Sequence, residues 1–185
     1  MKKTYVIMTL VMTVFWLAIA CSRSSEQENA GAARPAMEKA SVVWQDFNTG
    51  LRLAKEQRKP VVMDFYADWC GWCKKMEAEV FEDGEVADKL KKNYITVRIH
   101  TDTRPDETIQ YKNHVLTKQE FAMMLGVQGL PTVVFMDRDG NMITMIPGFV
   151  NKGMFLSLLG YIKDECYQKK VAFQDYMDGK APCGK

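Results

Sequence analysis

A chain of 185 residues that is 47% hydrophobic and 26% charged carries enough apolar material for one folded domain with a core, plus extensions. Its 25 basic residues fall to 23 once Lys2 and Lys3 of the amino-terminal head are set aside, against 23 acidic ones. A balance near zero, with no block of Lys or Arg, gives no support for nucleic acid or a strongly charged substrate, and neither is expected as a partner.

Residues 1–21 have the form of an export signal, with a basic head "MKK" and an apolar run from Thr4 to Ala20. The ending "LAIAC" resembles the lipobox of bacterial lipoproteins, with Ala18 where that family favours Leu. The resemblance implies cleavage before Cys21 and a lipid on that cysteine. An uncleaved anchor or a plain secretory signal are the other readings, because the run is at the short limit of a bilayer span. Each leaves the folded part outside the cytoplasm, and the lipoprotein reading puts it on the periplasmic side of the bacterial envelope, tethered to the membrane. Residues 22–40 are small and polar with no hydrophobic period, as in a flexible tether.

The domain is expected over residues 41–166, with a carboxy-terminal extension over 167–185. Trp44, Phe47, Leu51 and Ala54 recur at helical spacing, with Ser41 as a cap and Pro60 as the stop. "VVMDFYA" (61–67) reads as a strand covered on both faces, broken only by Asp64. A helix follows from the cysteine pair through "KKMEAEVF", then a shorter one through "GEVADKLKKN", then a strand in "YITVRIH". A polar loop at "TDTRP" leads to helical "TKQEFAMML". "TVVFMD" and "MITMIP", separated by "RDGN", read as an antiparallel hairpin. Phe155, Leu158, Leu159 and Ile162 mark a closing amphipathic helix. This order of elements is that of the thioredoxin fold: α/β, a central mixed β-sheet with helices on both faces, here with an N-terminal helix extension.

Cys70 and Cys73 lie in "DFYADWCGWCK". Haem attachment needs His directly after the second cysteine, where Lys74 stands. Structural zinc needs two more ligands, and Cys166 with Cys183, or His100 with His114, lack a paired-ligand rhythm. Redox exchange needs an attacking thiolate, a nearby resolving thiol and a setting that favours the thiolate, all of which a strand-to-helix turn supplies. No cofactor is required.

The same segment resembles the active site of thioredoxins, and the likeness extends over residues 60–163, most of all to exported thioredoxin-like proteins. These include those of periplasmic sulfur oxidation and the C-terminal domain of the transmembrane thiol reductase. It implies that Cys70 attacks, Cys73 resolves, and Asp64 is the buried acid that assists proton transfer to the resolving cysteine. A bare buried carboxylate among apolar neighbours is costly, which favours a role over a tolerated substitution. In "GVQGLPT" the resemblance implies a cis peptide bond before Pro131 and a free backbone at Leu130 that pairs with an incoming peptide. It also sets Arg98 near the family's lysine beside the acid, and Gly148 on the substrate side. Gly71 and Trp72 replace the thioredoxin Gly-Pro, so the reduction potential does not carry over. Ala78 stands near the family's kinking proline. Residues 101–126 exceed a minimal thioredoxin, as an extra helix or partner-specific loop.

Cys166 and Cys183 are spaced for a structural disulfide that pins the tail to the last helix, with a second redox pair or free thiols as alternatives. Trp69 and Trp72 shape the rim around the sulfurs or pack on the helix. His100 and His114 read as surface or loop residues, and methionines such as Met123 and Met124 as core filler. The expected function is that of an envelope thiol:disulfide oxidoreductase that reduces disulfide-containing exported proteins, with a membrane thiol-electron donor as partner. An oxidase or isomerase using the same site is the alternative. A non-catalytic thiol-based metal carrier or chaperone is the alternative of another class.

Overall fold

The computed structural model describes residues 41–102, 107–180 and 183. The expected signal, Cys21 and the tether lie outside the described residues. A four-stranded sheet in the order β2-β1-β5-β6 forms the centre, from β1 (Val61–Tyr66), β2 (Ile95–His100), β5 (Thr132–Met136) and β6 (Met142–Pro147). β1 runs parallel to β2 and antiparallel to β5, and β5 is antiparallel to β6, as the sequence order implies.

Period-two alternation divides the apolar residues between the two faces. Val61, Met63 and Phe65 of β1, with Val134 and Met136 of β5, join a cluster with Phe47, Ala54 and Phe121. Val62, Val133 and Phe135 point the other way, onto Met76, Phe81, Leu90, Phe155 and Leu159. Each fully buried Phe or Met contributes about 1.5–3 kcal/mol by leaving water, and Phe65→Ala at the sheet centre costs about 3–5 kcal/mol.

The first helix, α1 (Phe47–Gln57), begins later than its apolar spacing predicts. Asp46, not Ser41, caps it by accepting from the Thr49 N–H at 3.0 Å. The reason is tertiary: the Gln45 N–H donates to Thr96 O and Gln45 O accepts from the Arg98 N–H, so the chain runs extended along β2 up to residue 46. Trp44 is therefore not a helical residue. Gly50 is required where α1 crosses β2, because a Cβ there collides with Val97 Cγ2.

After β1, α2 (Gly71–Met76) runs on into a π-helical turn, Glu77–Phe81, around the position where the family places a proline. α3 (Gly84–Asn93) is capped by Asp83 and leads into β2. The long insertion is neither a helix nor a loop alone. It forms a hairpin of β3 (Thr108–Tyr111) and β4 (His114–Thr117), then α4 (Lys118–Leu125), which starts with a Thr117–Glu120 capping box. Ile109 and Tyr111 of β3 turn inward onto the first cluster. Met123 and Met124 project outward from α4, contrary to the expectation of core filler, which Met63, Met76 and Met136 fulfil instead.

Beyond β6, Asn151 caps α5 (Lys152–Lys163). The chain then turns back through α6 (Phe173–Met177), where Phe173 and Tyr176 pack edge-on against Tyr161. Cys166 is bonded to Cys183, Cα to Cα 5.4 Å, which fastens the tail under the end of α5.

Candidate active site

The end of β1 and the start of α2 set the two cysteines one helical turn apart. Cys70 is the N-cap of α2 and Cys73 lies in its first turn, and the two are bonded with a Cα separation of 5.2 Å. The Cys73 N–H donates to Cys70 Sγ at 3.1 Å, so the sulfur occupies the position of a capping oxygen. Both cysteines are nearly covered, at 5% and 7% exposure, and pack with Ala67, Tyr66 and Leu130.

Around them the surface is apolar and open. Trp69 is 71% exposed and Trp72 57%, so the two form a rim. Trp72 lies 5.7 Å from the Phe149 ring, and Lys75 Nζ sits about equally over both, at 5.0 and 4.9 Å. Gly71 has nothing within 4 Å of where a Cβ would stand, which leaves the backbone between the sulfurs accessible. The Leu130–Pro131 peptide bond is cis, and Pro131 O accepts from the Gly148 N–H at 2.8 Å. Gly148 has φ +81°, a conformation that side chains disfavour.

Beneath this surface lies a charged group. Asp64 is 2% exposed, and Arg98 reaches it with Nε at 3.1 Å and Nη2 at 3.0 Å from Oδ2. Glu77 accepts from the same Nη2, and Asp64 Oδ1 has no hydrogen-bond partner among the described residues. Burial pushes the Asp64 pKa up from 3.8 to about 6, against the opposing charge of Arg98. Cys73, Lys74, Glu77, Arg98, Tyr66 and Asp68 line a cavity of about 150 Å³, so Arg98 and Glu77 of this group face the same space as Cys73.

The structure packs Leu130, of the cis Leu130–Pro131 bond, with Cys70 and Cys73, keeps Trp69, Gly71 and Trp72 next to them in the chain, and reaches Asp64 through Arg98, which lines one cavity with Cys73. His100 and His114 are strand residues, the last of β2 and the first of β4, and His100 lies 3.4 Å from Asp68. Glu77 was not singled out in the sequence, although it lies four residues after Cys73, one turn along the same face. Phe149 and Lys75 carried no sequence signal at all. Among the described residues no group of three or more His, Cys, Asp or Glu side chains is placed to hold a metal.

A family model for the thioredoxin-like domain matches residues 47–163. The chain belongs to that family. Among characterised thioredoxin-like relatives, the thiol:disulfide interchange protein DsbD of Yersinia pestis (strain Pestoides F) is 36% identical over 109 residues, 58% of this chain and 16% of that protein. DsbD of Vibrio vulnificus (strain CMCP6) is 36% identical over 108 residues, 57% and 16% of the two chains. The match therefore spans less than a fifth of the length of these relatives. Among solved structures, a DsbH oxidoreductase superposes with a TM-score of 0.52 at 23% identity, covering 74% of this chain and 92% of that one. A thioredoxin-fold protein from Helicobacter pylori gives 0.55 at 23%, covering 66% and 80%. These likenesses show the thioredoxin fold.

Proposed function

We propose that this protein is a thiol:disulfide oxidoreductase of the bacterial cell envelope that reduces disulfides in exported proteins. The observation that carries the reading is the bonded Cys70–Cys73 pair at the N-terminus of α2, packed with Leu130 and sharing a cavity lining with Arg98, the partner of the buried Asp64. Membership of the thioredoxin-like family supports it, as does the identity with proteins named for thiol:disulfide interchange.

In the reduced protein Cys70 attacks. The Cys73 N–H aimed at its sulfur, with the positive end of the helix dipole, favours thiolate over thiol. The thiolate bonds to one sulfur of the substrate disulfide, and the other substrate sulfur leaves and takes up a proton. Cys73 then passes its proton to the Asp64 carboxylate and attacks Cys70 Sγ, which breaks the mixed disulfide. The second substrate sulfur leaves and is protonated in turn. Two electrons have moved to the substrate, now two thiols, and the protein holds the Cys70–Cys73 disulfide. With its pKa near 6, Asp64 is ionised at neutral pH yet basic enough to accept that proton. Trp69, Gly71, Trp72 and the Leu130 backbone receive an extended segment of the substrate.

A membrane thiol-electron donor regenerates the dithiol, and the lipid on Cys21 keeps the domain near it. The bridge between Cys166 and Cys183 is structural. Among the described residues no helix is long and apolar enough to cross a membrane, so the anchoring reading rests on the sequence of residues 1–21. The test is the reduction potential of the Cys70–Cys73 couple in the full chain, by equilibration with dithiothreitol and glutathione buffers. A value near about −270 mV supports the reductase; one near about −120 mV reverses the direction and makes the protein a disulfide donor.

A further inference from the structure

We propose that Trp44 is a positioning residue for the proton acceptor: its ring holds the Arg98 guanidinium against Asp64, which makes the segment entering the domain part of the redox site. The inference rests on the reading of Asp64 as the group that takes the Cys73 proton. Arg98 Cζ lies 4.2 Å from the Trp44 ring centroid, 4.8 Å from that of Tyr66 and 5.9 Å from that of Phe81, so Trp44 is the nearest of three rings around the cation. Trp44 is itself fixed, edge-on to Phe81 at 5.0 Å. Its backbone neighbours are joined to β2 on both sides: Thr96 Oγ1 donates to Val43 O at 2.7 Å, and the Arg98 N–H donates to Gln45 O at 3.1 Å.

The guanidinium needs such a restraint because it has two acidic claimants. Nη2 serves both Asp64 and Glu77, and Glu77 is one-third exposed while Asp64 is sealed. Without the ring, the arginine gains freedom to turn toward Glu77 and water, and Asp64 loses part of the cationic partner it has among the described residues. Other charged or titratable groups face the same space. They are Cys73 and Lys74 of α2, Tyr66 of β1 and Asp68 just beyond it, with His100 of β2 against Asp68. On the remaining side β5 places Val133 opposite Asp64 and brings no charge.

The experiment is a carboxyl-carbon NMR titration of Asp64 in the full chain with its disulfides formed, where neither cysteine of the pair titrates. Trp44→Leu keeps apolar bulk without a π face, and Trp44→Phe keeps a face. The Leu variant is expected to raise the Asp64 midpoint by about half a pH unit or more, as the neighbouring positive charge loosens, while the Phe variant stays near the parent. Leu125→Ala, in the cluster on the opposite face of the sheet, controls for general loosening. An unmoved midpoint in Trp44→Leu, or an equal shift in Trp44→Phe or Leu125→Ala, overturns the role of Trp44. Resolution of the mixed disulfide by Asp64→Asn is measured beside it. An unchanged rate there overturns the proton-acceptor reading itself, whatever the titration shows.

Discussion

The two disulfides differ little in burial, since Cys166 and Cys183 are 0% and 5% exposed against 5% and 7% for Cys70 and Cys73. What separates them is the polarity of the helix end at which each sits. Cys70 caps the start of α2, with an N–H aimed at its sulfur. Cys166 follows the end of α5, where its own N–H bonds back to Tyr161 O and the nearby carbonyls carry the negative end of the dipole. A thiolate is favoured at the first place and disfavoured at the second. The surroundings differ as well: the exposed Trp69 and Trp72 flank one pair, while the Cys183 carbonyl at the other accepts from Lys169. On the proposed function, reactivity follows from the field at each helix end rather than from depth.

The largest expected effect tests that contrast directly. Cys70→Ser is expected to bring insulin disulfide reduction down to the uncatalysed background, whereas Cys166→Ala with Cys183→Ala keeps the rate within about twofold of the parent. Equal losses in the two variants would dissolve the distinction between the pairs. In urea unfolding the order inverts: the Cys166/Cys183 double variant is expected to lose about 3 kcal/mol, the loop-closure value for a separation of 17 residues.

The acid beside the first pair sharpens the comparison through pH. Burial raises the folded pKa of Asp64 from 3.8 to about 6, so the folded protein keeps a proton that the unfolded chain has already released. The stability this contributes is complete below about pH 4 and is lost as the pH rises through about 6. Asp64→Asn has no such loss, and at pH 7 it is expected to be more stable than the parent by on the order of 2–3 kcal/mol, read from urea curves at a series of pH values. A stability difference that does not vary between pH 4 and 7 would contradict the burial account. The smallest effect belongs to the rim. Trp72→Ala is expected to lower kcat/KM for a protein disulfide about three- to tenfold and leave the Cys166–Cys183 pair and the stability unchanged.

Much of this contrast is visible in local sequence. The Cys-Gly-Trp-Cys turn, an Asp in an apolar strand and a Leu-Pro directly before an Asp-Gly hairpin are each short-range patterns, and together they locate the sheet, its mixed pairing and the cysteine site. What was not visible depends on partners far along the chain. Trp44, Phe47, Leu51 and Ala54 fit a helical period with Ser41 as a cap, yet pairing of Gln45 with β2 keeps the chain extended until Asp46. The β3–β4 hairpin lacks the glycine that announces such turns; Lys112 takes φ +54° in its place, held there by Ile109 and Tyr111 packing inward. Glu77 and Trp44 acquire their significance only because Arg98, from a third element, reaches both.

Both bridges are also local in sequence, at separations of 3 and 17 residues. A chain that meets an oxidant before it has folded can join these four cysteines in three ways. The native pattern closes two short loops, whereas either alternative must close loops of roughly a hundred residues at greater entropic cost. The covalent outcome is thereby biased toward the native pattern before the sheet has assembled.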